Sequence, residues 1–488
     1  MQGSTSIPQE IAPTPMPVSG ASRATTRVLW ICVITAAVVG VLSNNPLLTP
    51  VSLLLLPPLA YLAWRQGEPP ALMFACAMQW LQASAAIFYT NFYRSSLADA
   101  FGGIELEMAT WLSLGGVLVL ALGVGLGLLR AGQSVAVEIA DEGRGIDAIK
   151  AFTAYAFSFF LSLACSVAAL RLPSLSQPLL YLGTVKWVFI FILGYCVLEQ
   201  KRGYFLLTIC VVLEFAVGIL GFFAGFKSVF FVLFVAAMTS QAALRGRRLL
   251  LLVAVAALLI LLGSTWTAVK SDYREFLNQG FQSQEVLMPV EERVGKLGDL
   301  LADFDGQRLT EGFETMILRI SYVQFFALTM KNVPENIPYE NGALWAGAIK
   351  HVLTPRLLFP NKPAIDDSER TSFYTGLQVA GAEQGTSIGI GYFGESYIDF
   401  GPVLMFLPIF LVGLFYGAMY RWFVVRARYK LLGSAIVTSI LVFNGSAIET
   451  SNIKIVGSGI AALLVMLAFY STLGPWLMRW LSKAGIEE

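Results

Sequence analysis

Apolar residues run along this chain in long blocks separated by short polar connections. The blocks have the length a bilayer demands, not the spacing of an amphipathic surface helix. A spanning helix needs about 20 mostly apolar residues. Twelve stretches approach that length: 28–43, 47–64, 71–91, 108–129, 151–170, 179–198, 204–223, 228–244, 249–266, 401–424, 431–447 and 455–475. The first is short, and 47–64 carries Pro50, Pro57 and Pro58, each of which removes a backbone donor and marks a bend. The pattern predicts an all-α polytopic membrane protein of about twelve transmembrane helices. It divides into a Pro/Ser/Thr/Ala-rich tail at 1–27, helices one to nine over 28–266, a large polar segment at 267–399, and helices ten to twelve with the C-terminus over 400–488. The tail reads as disordered, because no apolar core follows a basic start as it would in a signal peptide.

Composition supports this class. The chain is 56% hydrophobic and 13% charged, with a mean hydropathy of +0.68, whereas soluble domains carry roughly 25% charged residues. That excludes a disordered chain and argues against a soluble multidomain enzyme. A net charge of +1 gives no long-range attraction for nucleic acid. The five cysteines all fall in apolar runs and read as packing residues. A single histidine rules out a multi-His metal site.

The basic residues suggest an orientation. With the N-terminus in the cytoplasm, 17 Lys and Arg residues fall on the inside, and the short outer connections hold only Arg94, Arg171, Lys227 and Lys454. This asymmetry follows the positive-inside rule. It predicts cytoplasmic termini and an extracytoplasmic 267–399 segment. The segment's 133 residues hold 11 Lys/Arg and 18 Asp/Glu, and a loop this long is usually functional where it is not disordered. Within it, 271–310 reads as short acidic helices, 312–331 as one apolar helix and 343–353 as another short helix. No internal repeat of the transporter kind is visible.

Charges inside apolar stretches are costly and therefore informative. Lys186 and Glu214 lie mid-span in consecutive helices and read either as a substrate or proton pathway or as a mutually neutralising pair. Lys227 sits in the glycine-bearing turn GFFAGFKS, where a cation can hold a phosphate oxygen or snorkel to the interface. Arg319 stands alone among Ile, Leu, Phe, Tyr and Met, and needs either a loop carboxylate or a bound phosphate as partner. Arg356, Lys362 and Arg370 lie in a proline-stiffened stretch that can clamp a diphosphate or remain solvated. His351 can take a proton from a sugar hydroxyl or simply end a helix. Glu395 and Asp399, with Tyr392 and Tyr397, occur in GESYIDFG where the chain re-enters the membrane. They suit a carboxylate site roofed by sugar-stacking rings, or an interfacial aromatic belt.

The layout of about a dozen spans, the basic residue in GFKS and the stretch from RISYVQFF through NVPENIPYENG and PRLLFPNKP to TSIGIGYFGESYIDFG resemble the bacterial oligosaccharide repeat-unit polymerases. These include the O-antigen and exopolysaccharide polymerases and are related to the O-antigen ligases. The resemblance implies a membrane-embedded glycosyltransferase of the C type (GT-C-like) in the bacterial inner membrane. Such an enzyme joins sugar repeats carried on undecaprenyl diphosphate, at the outer face of that membrane. It further implies no nucleotide sugar, no metal and no cofactor, with flippase and chain-length regulator proteins as partners beside the lipid-linked substrate and membrane lipids. The family's hairpin cation is usually Arg, and the matching position here is Lys227. By the same resemblance Lys227, Arg319, Arg356 and Arg370 would hold diphosphate, Glu395 or His351 would accept the proton, and Tyr392, Tyr397 and Asp399 would bind sugar. An O-antigen-type ligase and a flippase of lipid-linked sugars remain the rival readings.

Overall fold

The computed structural model describes residues 20–483 except 101–102, 129–133, 221–224, 241–246, 280–287, 357, 360–361, 363–365 and 382–385. The tail expected to be disordered thus lies largely outside the described residues, as does the GFFA part of the lysine turn. Among the described residues every regular element is helical. The first part comprises α1 (Gly20–Gly40), α2 (Leu48–Leu54), α3 (Leu56–Ala63), α4 (Ala71–Phe92), α5 (Ile104–Leu128), α6 (Ala136–Gly145) and α7 (Ala148–Arg171), followed by α8 (Ser176–Gly183), α9 (Val185–Gln200), α10 (Tyr204–Ile219), α11 (Lys227–Thr239) and α12 (Arg247–Leu277). The polar segment contributes α13 (Val290–Ala302), α14 (Gly306–Ile320), α15 (Val323–Asn332), α16 (Ala343–Leu353) and α17 (Asp367–Thr375). The chain returns through α18 (Tyr392–Leu404), α19 (Phe406–Tyr420), α20 (Lys430–Asn444), α21 (Asn452–Thr472) and α22 (Gly474–Leu481).

Seven described helical stretches are long and apolar enough to cross a bilayer: Ala71–Phe92, Glu105–Leu128, Ala148–Arg171, Pro173–Gln200, Val253–Leu277, Phe406–Arg426 and Asn452–Thr472. The other five expected stretches appear as shorter apolar helices at Trp30–Gly40, Leu48–Ala63, Tyr204–Ile219, Lys227–Thr239 and Lys430–Asn444. The protein is a helical membrane protein. Two expectations for the polar segment change. Helix α12 continues past residue 266 to Leu277, and the apolar helix expected over 312–331 is two helices, broken at Ser321 where ψ turns to 75°. Tyr322, just after the break, donates its hydroxyl to the Gly389 carbonyl. The acidic IDDSER turn opens α17, whose first amides at Ser368 and Glu369 bond to the Asp366 side chain at 2.9 and 3.2 Å, the favourable geometry of an aspartate N-cap.

The two halves of the bundle meet where α5 lies against α19, and small residues permit the contact. A Cβ at Gly127 would lie 2.7 Å from the Leu414 carbonyl oxygen, and one at Gly413 or Gly417 would overlap the carbonyls of Leu120 and Val124. Helices in lipid gain little from hydrophobic burial against each other, so close backbone approach through small residues carries their association. Gly413→Leu and Gly417→Leu are each expected to destabilise the fold by about 3 kcal/mol, since the collision is with backbone that cannot move aside. Detergent-titrated unfolding would register this, and unchanged midpoints would contradict the packing.

Inside the membrane, Lys186 Nζ lies 2.7 Å from Glu214 Oε2, and the Tyr155 hydroxyl donates to Glu214 Oε1 at 3.1 Å. The ammonium also stands 4.6 Å from the centre of the Trp187 ring. Each charge thus has a partner within the protein, which matches the mutually neutralising pair and leaves neither group needing a substrate.

Candidate functional site

The polar segment folds back onto one end of the bundle, here termed the loop side. Its helices are held there by side chains from both parts of the chain. Helix α16 begins at Gly342, which sits at φ +90° and has no side chain with which to cap the helix. Asp399 supplies the cap instead, accepting from the amides of Leu344 and Trp345 at 3.0 and 2.8 Å. Trp345 Nε1 donates to Ser396 Oγ at 3.1 Å. These bonds fix the loop to α18.

Glu395 is fully buried, with 0% exposure. Arg370 Nη1 donates to its Oε1 at 3.0 Å, and the Asn452 amide, at the start of α21, donates to its Oε2 at 2.6 Å. Burial pushes the Glu395 carboxyl up to about 7, opposed by Arg370 and the Asn452 amide. Beside it, Asp367 is buried and its Oδ2 lies 2.7 Å from Lys454 Nζ, which also donates to Ser387 Oγ at 2.9 Å. The extended strap 387–391 crosses this seam, with the Ile388 amide donating to Ser368 Oγ at 2.9 Å and Thr371 Oγ1 donating to the Ile388 carbonyl at 2.7 Å.

At one end of the seam stands Glu449, in the turn between α20 and α21. It is exposed, yet protein flanks the carboxyl closely enough that desolvation raises it above the ordinary carboxylate range. The positive charges of Lys227, Arg319 and Lys454 oppose that rise. Lys270, on the last turns of α12, lies within the electrostatic reach of Arg319, Arg274 and Lys227. Lys270 and Arg274 of α12 thus lie near Lys227 of α11 and Arg319 of α14, and the last two also reach Glu449. Among the described residues, none of Lys227, Lys270 or Arg319 closes an ion pair within 4.0 Å of a carboxylate.

The structure thus brings Lys227 and Arg319 together, although they are 92 residues apart in a chain numbered to 488. It places His351, Arg356 and Arg370 in a second group. The His351 imidazole is pushed below its ordinary value first by burial and then by Lys362, Arg356 and Arg370, so it is neutral at pH 7. Arg370 and the Asp367–Lys454 pair link the two groups. Tyr392 is wholly buried and donates to Gln79 Oε1 at 2.7 Å, and Tyr397 is buried with its hydroxyl on the Val333 carbonyl at 3.0 Å. Both rings are packed inside the protein, and Asp399 is engaged as the α16 cap. Glu449, Asp367, Lys454, Lys270 and Arg274 did not figure in the sequence reading of the site. Their only signal was an acid or a base in a polar stretch at or beyond the end of a span, which looks the same as a solvated charge.

Next to the cation group an apolar cleft of about 710 Å³ opens between α4, α12 and α14, lined by residues that include Phe88, Phe92, Ile260, Phe313, Ile317 and Ile320. Ile320 adjoins Arg319 in the chain, so the cleft and the cations share one end of α14. At the rim the Tyr93 hydroxyl donates to the Glu314 carboxylate. Among the described residues no group of three or more His, Cys, Asp or Glu side chains is arranged to hold a metal ion.

A family model described as "Domain of unknown function (DUF8712)" matches residues 146–449, more than half of the chain. The chain belongs to this family. The DUF8712 region contains Lys227, Lys270, Arg319, His351, Arg370 and Glu395 and closes at Glu449; Lys454 and α21 lie beyond it. Comparison with curated proteins and with solved structures finds no match.

Proposed function

We propose that this protein is a membrane-embedded glycosyltransferase that joins oligosaccharide repeat units carried on undecaprenyl diphosphate into a bacterial surface polysaccharide. In this reading the membrane is the inner membrane, the loop side faces outward and both termini are cytoplasmic. The observation that carries the reading is the meeting of Lys227, Lys270 and Arg319 beside the end of α14 that borders an apolar cleft. A polyprenyl chain has the chemistry of the cleft, and a diphosphate has the charge to meet these three cations.

Departure of the diphosphate leaves negative charge on its bridging oxygen, which fixed cations in a water-poor setting stabilise strongly. The acceptor sugar hydroxyl attacks the anomeric carbon as the bond to the diphosphate oxygen breaks, and its proton passes to a carboxylate. Glu449 suits that role better than Glu395, because it is exposed beside Lys227 and Arg319, whereas both Glu395 oxygens are already engaged. His351 belongs to the second cationic group, with Lys362, Arg356 and Arg370.

The reading is tested with the purified protein in nanodiscs, given lipid-diphosphate-linked repeat units, with products resolved by size. A ladder at multiples of the repeat is the expected result, and its rate should fall as the pH drops through the raised Glu449 value. Bound but unchanged substrate would move the assignment to a flippase, and transfer only to a different acceptor would move it to a ligase.

A further inference from the structure

Helix α16 and the turn after it show a face for which the described residues offer no cover. Leu353 and Leu358 are 73% and 72% exposed, and Ile349 and Phe359 are each 50% exposed. The neighbouring side of α16 is seated: Ala348 is buried, and Val352 Cγ2 would lie 3.4 Å from a Cβ placed at Gly457 of α21. Gly457 is the sixth residue of α21, about 7.5 Å along the helix from Asn452 at 1.5 Å per residue. Lys454 is the last charge on α21, and 455–472 contains no charged residue. The C-terminal end of α16 therefore stands at the depth where the hydrocarbon begins. From 343 to 362 the chain carries three cations, Lys350, Arg356 and Lys362, and no Asp or Glu. Lys362 Nζ donates to the His351 carbonyl, which ties the turn to the helix end.

We propose that α16 and the described residues that follow it up to Lys362 anchor the polar segment in the bilayer leaflet on the loop side. Ile349, Leu353, Leu358 and Phe359 lie among acyl chains, and Lys350, Arg356 and Lys362 meet the phosphates of anionic lipid headgroups. Exposed apolar side chains flanked by cations, on a helix already packed against a spanning helix, have the chemistry of an interfacial element. Proximity of Lys and Arg to the surface favours anionic over zwitterionic lipid. The Asp399 cap and the Trp345–Ser396 bond hold the other end of α16 on α18, so the anchor is a rigid one. This inference is independent of the reaction proposed above.

An environment-sensitive fluorophore on a single introduced cysteine tests it in the full chain. Cys32 is exposed and the other four cysteines are buried, so a Cys32→Ser background leaves one reactive thiol. In nanodiscs of phosphatidylcholine and phosphatidylglycerol, label at Leu353→Cys or Leu358→Cys is expected to emit at apolar wavelengths and be quenched by lipids spin-labelled near the headgroup. Label at Glu369→Cys, exposed on α17, should show neither effect. Spin-labelled phosphatidylglycerol should quench more than spin-labelled phosphatidylcholine, by a factor on the order of five for each engaged cation. Replacing Lys350, Arg356 and Lys362 together with Gln should bring the two lipids to equality. Water-like emission without quenching at both 353 and 358 would overturn the anchor. Equal quenching by the two lipids in the unsubstituted chain would overturn the headgroup contacts.

Discussion

Replacing Lys227 and Arg319 together by Ala is expected to abolish chain growth while leaving the protein inserted and folded. Both side chains are exposed, and substitutions at such positions usually change stability by no more than about 0.5 kcal/mol. Their effect on the reaction would be far larger. Removing one fixed stabiliser of developing negative charge costs about 3 kcal/mol, or a factor of roughly 100 to 1000 in rate, and the double variant removes two. Arg319→Lys separates charge from geometry, because it keeps the positive charge and loses the planar fork that grips two oxygens at once. It is expected to fall between wild type and Arg319→Ala. The measurement is the size ladder from lipid-linked repeats, alongside gel filtration in detergent. A normal ladder from the double variant would remove these residues from the site.

The second large effect concerns stability and falls on Glu395. Truncating one member of a buried, hydrogen-bonded ion pair typically costs about 3–5 kcal/mol. Glu395→Ala leaves the Arg370 guanidinium and the Asn452 amide without their acceptors. Arg370 keeps partial access to water, with 23% side-chain exposure, which places the expected loss near the lower end. The pH dependence carries a distinctive sign. The folded carboxyl titrates at about 7 against 4.5 for an unperturbed one, so the folded chain holds this proton more tightly than the unfolded chain. Stability from this group is therefore fully present below about pH 4.5 and is lost as pH rises to about 7. The advantage of wild type over Glu395→Gln should be widest in acid, shrink up to neutrality and then stay level. Unfolding midpoints at a series of pH values would show it. A gap that widens with rising pH would mean that the carboxylate is stabilised by its ion pair more than burial penalises it.

The sequence made the spans legible because bilayer solvation is a long-range, single-valued demand: apolar residues must continue for a fixed length whatever their neighbours do. The start and end of α16 were readable for a local reason, since Gly342 and the Thr354–Pro355 pair bracket it. The break at Ser321 was not readable, because no glycine or proline marks it. At the break the chain makes a tertiary contact instead, Tyr322 reaching to the strap at Gly389. The site divides in the same way. Lys227 and Arg319 stood out as lone charges in apolar surroundings. Glu449 in a turn, and Asp367 and Lys454 in the first turns of α17 and α21, sit in polar stretches where a charge needs no explanation, and only the folding of the strap against α17 and the 448–452 turn gives them one. Tyr392 and Tyr397 show the converse error of context: a tyrosine near a membrane boundary can stack on a sugar or bond inward, and here both hydroxyls bond inward.

The polar segment is not an excisable unit, because its buried carboxylates take their partners from α21: the Asn452 amide for Glu395 and Lys454 for Asp367. Helix α14 rests on α12 through Gly312, where a Cβ would overlap the Ser264 carbonyl oxygen. A soluble fragment cut at 267 and 399 would lose the floor beneath its helices, and would be a poor surrogate for screening ligands or raising conformational antibodies.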